Sequence, residues 1–243
     1  MVRYVVTISL LESLQLVQND KQRFFMKYKA IIFDMDGTII STENVWEQAT
    51  KHMLKTKGFL SDEECNNIMP MLKGASLYST CNFMKKTFNT PESIEELIEE
   101  KQRLAFSKFK KQAQLIEGFD RFHNKLMSLN LKTAIATNSN QKSLDKVMQY
   151  LPLDNFFKEH IYSIDLVNKI PKPNPDIYLF AAAKLKIEPM LCIAIEDSRH
   201  GIAAAKSAGM FCIGINTGKD RQALAQADHI IDHYDELIIE NIL

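Results

Sequence analysis

Two carboxylates stand two residues apart in Asp34-Met35-Asp36-Gly37-Thr38. They follow directly on an apolar run, Ala30 to Phe33, which reads as a strand buried on both faces of a parallel sheet. Crowded carboxylates repel and raise each other's pKa unless a cation stands between them. Open α/β sheets hold ligands just outside the carboxyl ends of their strands. Residue type and setting therefore point to a strand-end site of hard oxygen ligands, the kind that suits Mg²⁺. Two plainer readings compete. Asp-Gly is a common turn pair, and an acidic loop can hold calcium. The EF-hand pattern needs Gly at its sixth position and Glu at its twelfth. Counted from Asp34, those positions hold Ile39 and Val45, which removes calcium binding of that type. The turn reading depends on what the later strand ends carry.

Those ends carry matching groups. The run Lys132 to Ala136 ends at Thr137 and Asn138, and the run Met190 to Ile195 ends at Glu196, Asp197 and Ser198. Lys172 lies between them in sequence, flanked by Pro171 and Pro173. Each has a bland alternative. Thr137, Asn138 and Asp197 are ordinary helix-capping types, a single lysine usually lies on the surface, and Glu196 can pair with any lysine. Acids at two strand ends, Thr-Asn at a third and a proline-flanked lysine are much harder to obtain by chance on one edge of a parallel sheet.

On these residues the chain resembles the haloacid dehalogenase superfamily of phosphohydrolases, in the branch with a helical cap inserted after the first motif, which includes β-phosphoglucomutase and phosphoglycolate phosphatase. The likeness runs from about Met26 to Leu243. Asp34 to Thr38 matches the first motif, Thr137-Asn138 the second and Lys172 the third; Glu196-Asp197-Ser198 with Gly201 and Ala208-Gly209 matches the fourth. The resemblance implies that Asp34 attacks phosphorus and forms an aspartyl-phosphate. It implies Mg²⁺ held by an Asp34 oxygen, the Asp36 backbone carbonyl and Asp197, with Glu196 supporting the site. Asp36 is expected to protonate the leaving oxygen and then deprotonate water. Thr137, Asn138 and Lys172 are expected to bind the phosphoryl oxygens.

Departures from the family pattern narrow the reaction. Dehalogenases lack the second aspartate of the first motif, and Asp36 is present. Phosphomutase relatives carry a histidine twelve residues after the nucleophile, where this chain has Trp46, and an arginine three residues after the cap glycine, where it has Leu77 after Gly74. Many relatives have Asp where this chain has Ser41, which leaves that local contact in doubt. A phosphatase acting on a small phosphomonoester, of sugar phosphate or phosphoglycolate type, is the expected activity. A phosphomutase and a non-catalytic phosphometabolite-binding protein are the alternatives. Trp46, Lys51 and Lys73 are the expected cap contacts to substrate, although packing of the cap helix is an equally simple role for Trp46.

The elements that must position these residues follow a βαβ rhythm, which predicts an α/β fold: a Rossmann-like parallel sheet with helices on both faces. Residues 43–114 contain no convincing strand and read as an inserted all-helical cap, with a core of 26–42 and 115–243 and an amino-terminal extension of 1–25. Helices are expected at Glu43 to Lys57, Ser61 to Met69, Leu77 to Phe88 and from Thr90-Pro91 onward, with Ser41 or Thr42 capping the first. Later ones are expected at Phe119 to Leu129, Gln141 to Leu151, Asp176 to Leu185, Gly201 to Ala208 and at the carboxyl terminus. The extension is read as an extra helix or a frayed segment rather than a signal peptide, and Met26 as a natural start. The 243 residues hold 30 basic and 30 acidic side chains, so no overall charge drives binding to nucleic acid or anionic membrane. No apolar run is long enough to span a bilayer, and the four cysteines form no C-x-x-C pair. A cytoplasmic monomer acting on a small phosphorylated metabolite is the resulting expectation.

Overall fold

The computed structural model describes residues 28–72 and 75–238. The extension, Lys73 and Gly74 lie outside the described residues. Six strands form one sheet: β1 (Ala30–Phe33), β2 (Lys132–Ala136), β3 (Ile161–Tyr162), β4 (Cys192–Glu196), β5 (Phe211–Ile215) and β6 (His229–Ile231). The order is β3-β2-β1-β4-β5-β6, and every pairing is parallel. β1 lies between β2 and β4, with Ile32 paired to both Ala134 and Ala194. This is the point where the winding of the sheet changes direction, and such sheets bind ligands there.

Residues alternate between two cores with the period of two that a pleated strand imposes. Ile31, Phe33, Ile193 and Ile195 face one core, built on α5 (Phe119–Ser128) and α6 (Gln141–Met148). Ala30, Ile32, Ala134 and Ala194 face the other, built on α8 (Asp176–Leu185) and α9 (Arg199–Ser207). The second face is lined with small residues, so its helices can lie close to the sheet. A short helix, α7 (Asp154–Phe157), covers part of the first face.

Between β1 and α5 the chain forms four helices: α1 (Glu43–Thr56), α2 (Asp62–Leu72), α3 (Leu77–Phe88) and α4 (Ile94–Gln112). They enclose their own core of Met53, Leu54, Cys65, Cys81, Met84 and Leu97. The two strands of chain that join this block to the sheet pair with each other. Ser41 N–H donates to Gln114 O at 2.8 Å, and Ile116 N–H donates to Ile39 O at 2.8 Å.

Several boundaries differ from expectation for local reasons. α2 runs through Pro70 to Leu72 instead of stopping at Met69. α4 starts at Ile94 because Ser93 and Glu96 form a reciprocal capping box, which leaves Pro91 outside the helix. Thr42 occupies the cap position of α1, but its hydroxyl makes no cap bond. α6 ends at Met148, ahead of Pro152. α9 begins at Arg199, capped by the Ser198 hydroxyl. β4 starts at Cys192, since Pro189 opens a 3₁₀ turn over Pro189–Leu191, and it includes Glu196. Near the carboxyl end the described residues hold only a 3₁₀ turn, Tyr234–Glu236; 239–243 lie outside them.

Candidate active site

Asp34 follows β1 at the carboxyl edge of the sheet, and its N–H is bonded to Ile195 O of the neighbouring strand end at 3.0 Å. Lys172, 138 residues further along the chain, donates to Asp34 Oδ1 at 2.5 Å and to Glu196 Oε1 at 2.6 Å. The lysine follows a loop and precedes a cis peptide bond to Pro173. Its backbone N–H donates to Asn138 Oδ1 at 3.0 Å, so the second and third motifs are tied together. Asp34, Glu196 and Asp197 are all buried, and each offers a carboxylate oxygen within 4.8 Å of the others. Three converging carboxylates are a donor set for a hard divalent cation, and the residues fit Mg²⁺.

Burial and the nearby Glu196 charge push the Asp34 carboxyl up to about 8, against the lowering effect of Lys172. Burial alone would depress the Lys172 ammonium, but Asp34 and Glu196 outweigh it and hold the group above the usual lysine range.

Asp36 points elsewhere. Its Oδ1 accepts from the Thr42 hydroxyl and from the Trp46 indole N–H at 3.0 Å, and its Oδ2 accepts from the Ser139 hydroxyl at 3.1 Å. Burial raises its pKa, and these three donors act in the opposite direction. Thr42 thus serves Asp36 instead of capping α1. Trp46 does pack within the helical block, edge-on to Phe106 and Phe109, and its polar edge reaches the carboxylate as well. Thr137 Oγ1 accepts from the Ser139 N–H at 3.0 Å, which leaves the Thr137 hydroxyl proton available to a ligand.

A cavity of about 360 Å³ opens between this edge and the helical block. Asp34, Asp36, Lys172 and Asp197 line its floor, and Trp46, Lys51, Thr80 and Lys101 line its roof. Lys51 pairs with Glu47 at 2.6 Å. Lys101 is only 5% exposed and pairs with no carboxylate among the described residues. Burial lowers its ammonium to about 8. Lys73 lies outside the described residues.

Comparison with known proteins agrees with this geometry. Residues 31–215 match the family described as haloacid dehalogenase-like hydrolase. The chain belongs to that family. Among the family's members, a β-phosphoglucomutase of Bacillus subtilis (strain 168) is 32% identical over 220 residues, 87% of this chain and 92% of the relative. Hexitol phosphatase B of Escherichia coli (strain K12) is 30% identical over 185 residues, 74% of this chain and 80% of the relative. The crystal structure of a HAD hydrolase, family IA, variant 3, from Entamoeba histolytica superposes with a TM-score of 0.77 at 28% identity, covering 88% of this chain and 97% of that one.

Inspection of the family motifs alone overlooks four side chains at this site. Ser139 and Thr42 are polar residues next to a motif and could have been singled out on that ground. Lys101 sits in the charged helical stretch Glu99-Glu100-Lys101-Gln102-Arg103, which has the appearance of a solvated face. Tyr178 falls in an apolar helix and donates to Glu196 Oε1 at 2.8 Å; nothing local marks it.

Proposed function

We propose that this protein is a Mg²⁺-dependent phosphatase that hydrolyses a small phosphomonoester through an aspartyl-phosphate on Asp34. The observation that carries the reading is the Asp34 carboxylate at the floor of the cavity, joined to Lys172 and within reach of Glu196 and Asp197. Asp34 and Asp197, with the Asp36 backbone carbonyl, would hold the cation, which when bound neutralises charge between the nucleophile and the phosphate dianion.

The side chains then have distinct work. An Asp34 oxygen attacks phosphorus as the ester oxygen leaves, and Asp36 gives its proton to that oxygen. Asp36 next takes a proton from water, the water oxygen bonds to phosphorus, and the Asp34–phosphorus bond breaks to release orthophosphate. Lys172, the Thr137 hydroxyl and the Asn138 N–H hold the non-bridging oxygens. Glu196 anchors Lys172. Residues 43–114 act as the cap over a core of 26–42 and 115–243, and closure excludes bulk water. Lys101, Lys51 and Trp46 face the substrate's leaving group from that cap.

Relatives are named both as mutase and as phosphatase. Trp46 favours hydrolysis. An indole N–H only donates, so it fixes Asp36 but cannot accept a proton as an imidazole can, and no guanidinium stands at Leu77 to retain a second phosphate. Sugar or polyol phosphates suit a cavity of about 360 Å³ lined by mixed polar and apolar groups. Four buried free thiols fit a cytoplasmic home.

The test is orthophosphate release by the full chain with Mg²⁺ from a panel containing p-nitrophenyl phosphate, hexose phosphates and hexitol phosphates. Release is expected, with at least a ~10³-fold loss on Asp34→Asn at unchanged melting temperature. Conversion of glucose 1-phosphate to the 6-phosphate without orthophosphate release would make the protein a mutase. Inactivity across the panel would favour a binding role.

A further inference from the structure

The Glu196 carboxylate has no solvent exposure, and all its bonding capacity is engaged. Oε2 accepts from the Ser198 hydroxyl at 3.1 Å and from the N–H groups of Asp197 and Ser198 at 3.2 and 3.4 Å. Oε1 accepts from Lys172 Nζ at 2.6 Å and from the Tyr178 hydroxyl at 2.8 Å. Tyr178 is itself fully buried on α8. Its ring lies against the lysine, with Nζ 4.8 Å from the ring centroid, a cation–π distance. Its oxygen is 3.4 Å from the same nitrogen. One aromatic side chain therefore touches both halves of the buried ion pair.

We infer that Tyr178 is a positioning residue: its hydroxyl and ring together fix the Glu196–Lys172 pair at the height where the lysine meets Asp34. This rests on the phosphatase reading of the same site. An ammonium has three protons. One goes to Glu196 Oε1 and one to Asp34 Oδ1, and the third meets only the Tyr178 hydroxyl oxygen at the long distance of 3.4 Å, so it is the proton that can turn to a phosphoryl oxygen. A flexible four-carbon stem does not by itself hold that orientation. The ring face closes one side of the ammonium, and the hydroxyl stops the Glu196 oxygen from turning towards the lysine alone. Phenylalanine would keep the packing and the ring contact while removing the bond to Glu196, so the two contributions can be separated.

The test is a double-mutant cycle on the full chain with Mg²⁺: wild type, Tyr178→Phe, Glu196→Met and the double variant. Two readouts are taken, kcat/KM for p-nitrophenyl phosphate and the calorimetric Kd of inorganic phosphate, with melting temperature as the check on folding. Tyr178→Phe is expected to lower kcat/KM about tenfold and to weaken phosphate binding several-fold. In the Glu196→Met background it should change either by less than about twofold, because methionine fills the space without an oxygen to accept the Tyr178 hydroxyl bond. Unchanged values in the single variant would overturn the inference, as would losses that multiply in the double. A merely structural tyrosine would lower the melting temperature in both backgrounds alike. A wild type that binds inorganic phosphate but hydrolyses no ester removes the phosphatase reading and leaves the binding cycle decisive for Tyr178. A wild type that does neither overturns both.

Discussion

Lys101 stands in an environment at odds with its charge. It is a buried ammonium in the roof of the cavity, with burial lowering it to about 8 and no carboxylate partner among the described residues. An unpaired buried cation is costly, and an oxygen-rich substrate offsets that cost. The lowered pKa makes the contact sensitive to pH in a defined direction. Below about 8 the group is charged in the free protein, and above it the charge is lost. The kcat/KM for a sugar phosphate is thus expected to fall as pH rises through about 8, since this ratio reports free-enzyme ionisations. Lys101→Arg should move that fall to higher pH, and Lys101→Met should abolish it at a lower plateau. A wild-type alkaline limb identical to that of Lys101→Met would remove Lys101 from substrate binding. Asp34 is raised to a similar value by burial and Glu196, but a bound cation favours its carboxylate, so its limb belongs at lower pH in the loaded enzyme.

Among the elements, α9 lies close against the end of β4 at Gly201. A Cβ on Gly201 would lie 1.8 Å from the Glu196 carboxyl carbon, and that carboxylate is held by five donors and cannot swing aside. Gly201→Ala is expected to displace Glu196. This should cost about 1–3 kcal/mol of stability as overpacking and lower kcat/KM about a hundredfold or more through Lys172. Thermal unfolding and steady-state kinetics read the two effects, and near-wild-type activity would show that the site does not need Glu196 where it stands. The glycine could be noted from sequence as part of a motif, whereas its role as the wall of a socket could not. Helix α8 illustrates the same limit. Its helical pattern was legible along the chain, but not which polar atoms the Tyr178 hydroxyl would meet.

For the molecule as a whole, the question is how the helical block communicates with the sheet. Among the described residues, two side-chain links join the block to the sheet edge. Trp46 of α1 donates to Asp36, and Gln102 of α4 donates to Asn140 and Ser143 at 3.2 and 2.9 Å, at the start of α6. Trp46→Phe keeps the edge-on packing with Phe106 and Phe109 and removes the donor. We expect kcat to fall about tenfold with a melting temperature within a few degrees of wild type, because the loss is of one hydrogen bond to a charged group. A kcat unchanged within twofold would mean that Asp36 is oriented by Thr42 and Ser139 alone. Among the described residues no helix is long and apolar enough to cross a membrane.

What the amino-acid sequence determined by itself was local and periodic: the strands at 30–33, 132–136 and 190–195 to within two residues, the parallel α/β class, the run of helices after the first strand, and the polar groups of the family's four motifs, three of them at strand ends. Apolar runs and capping residues act over a few positions, so they are legible without coordinates. The tertiary structure decided which of these groups meet and what supports them. The Lys172–Asp34 pair spans 138 positions, the Gln102–Asn140 bond 38 and the Tyr178–Glu196 bond 18. Lys101 has the sequence context of a surface lysine but is buried in the folded chain, in the roof of the cavity. Burial and donor geometry at such positions come from packing between distant segments, and no pattern along the chain encodes them.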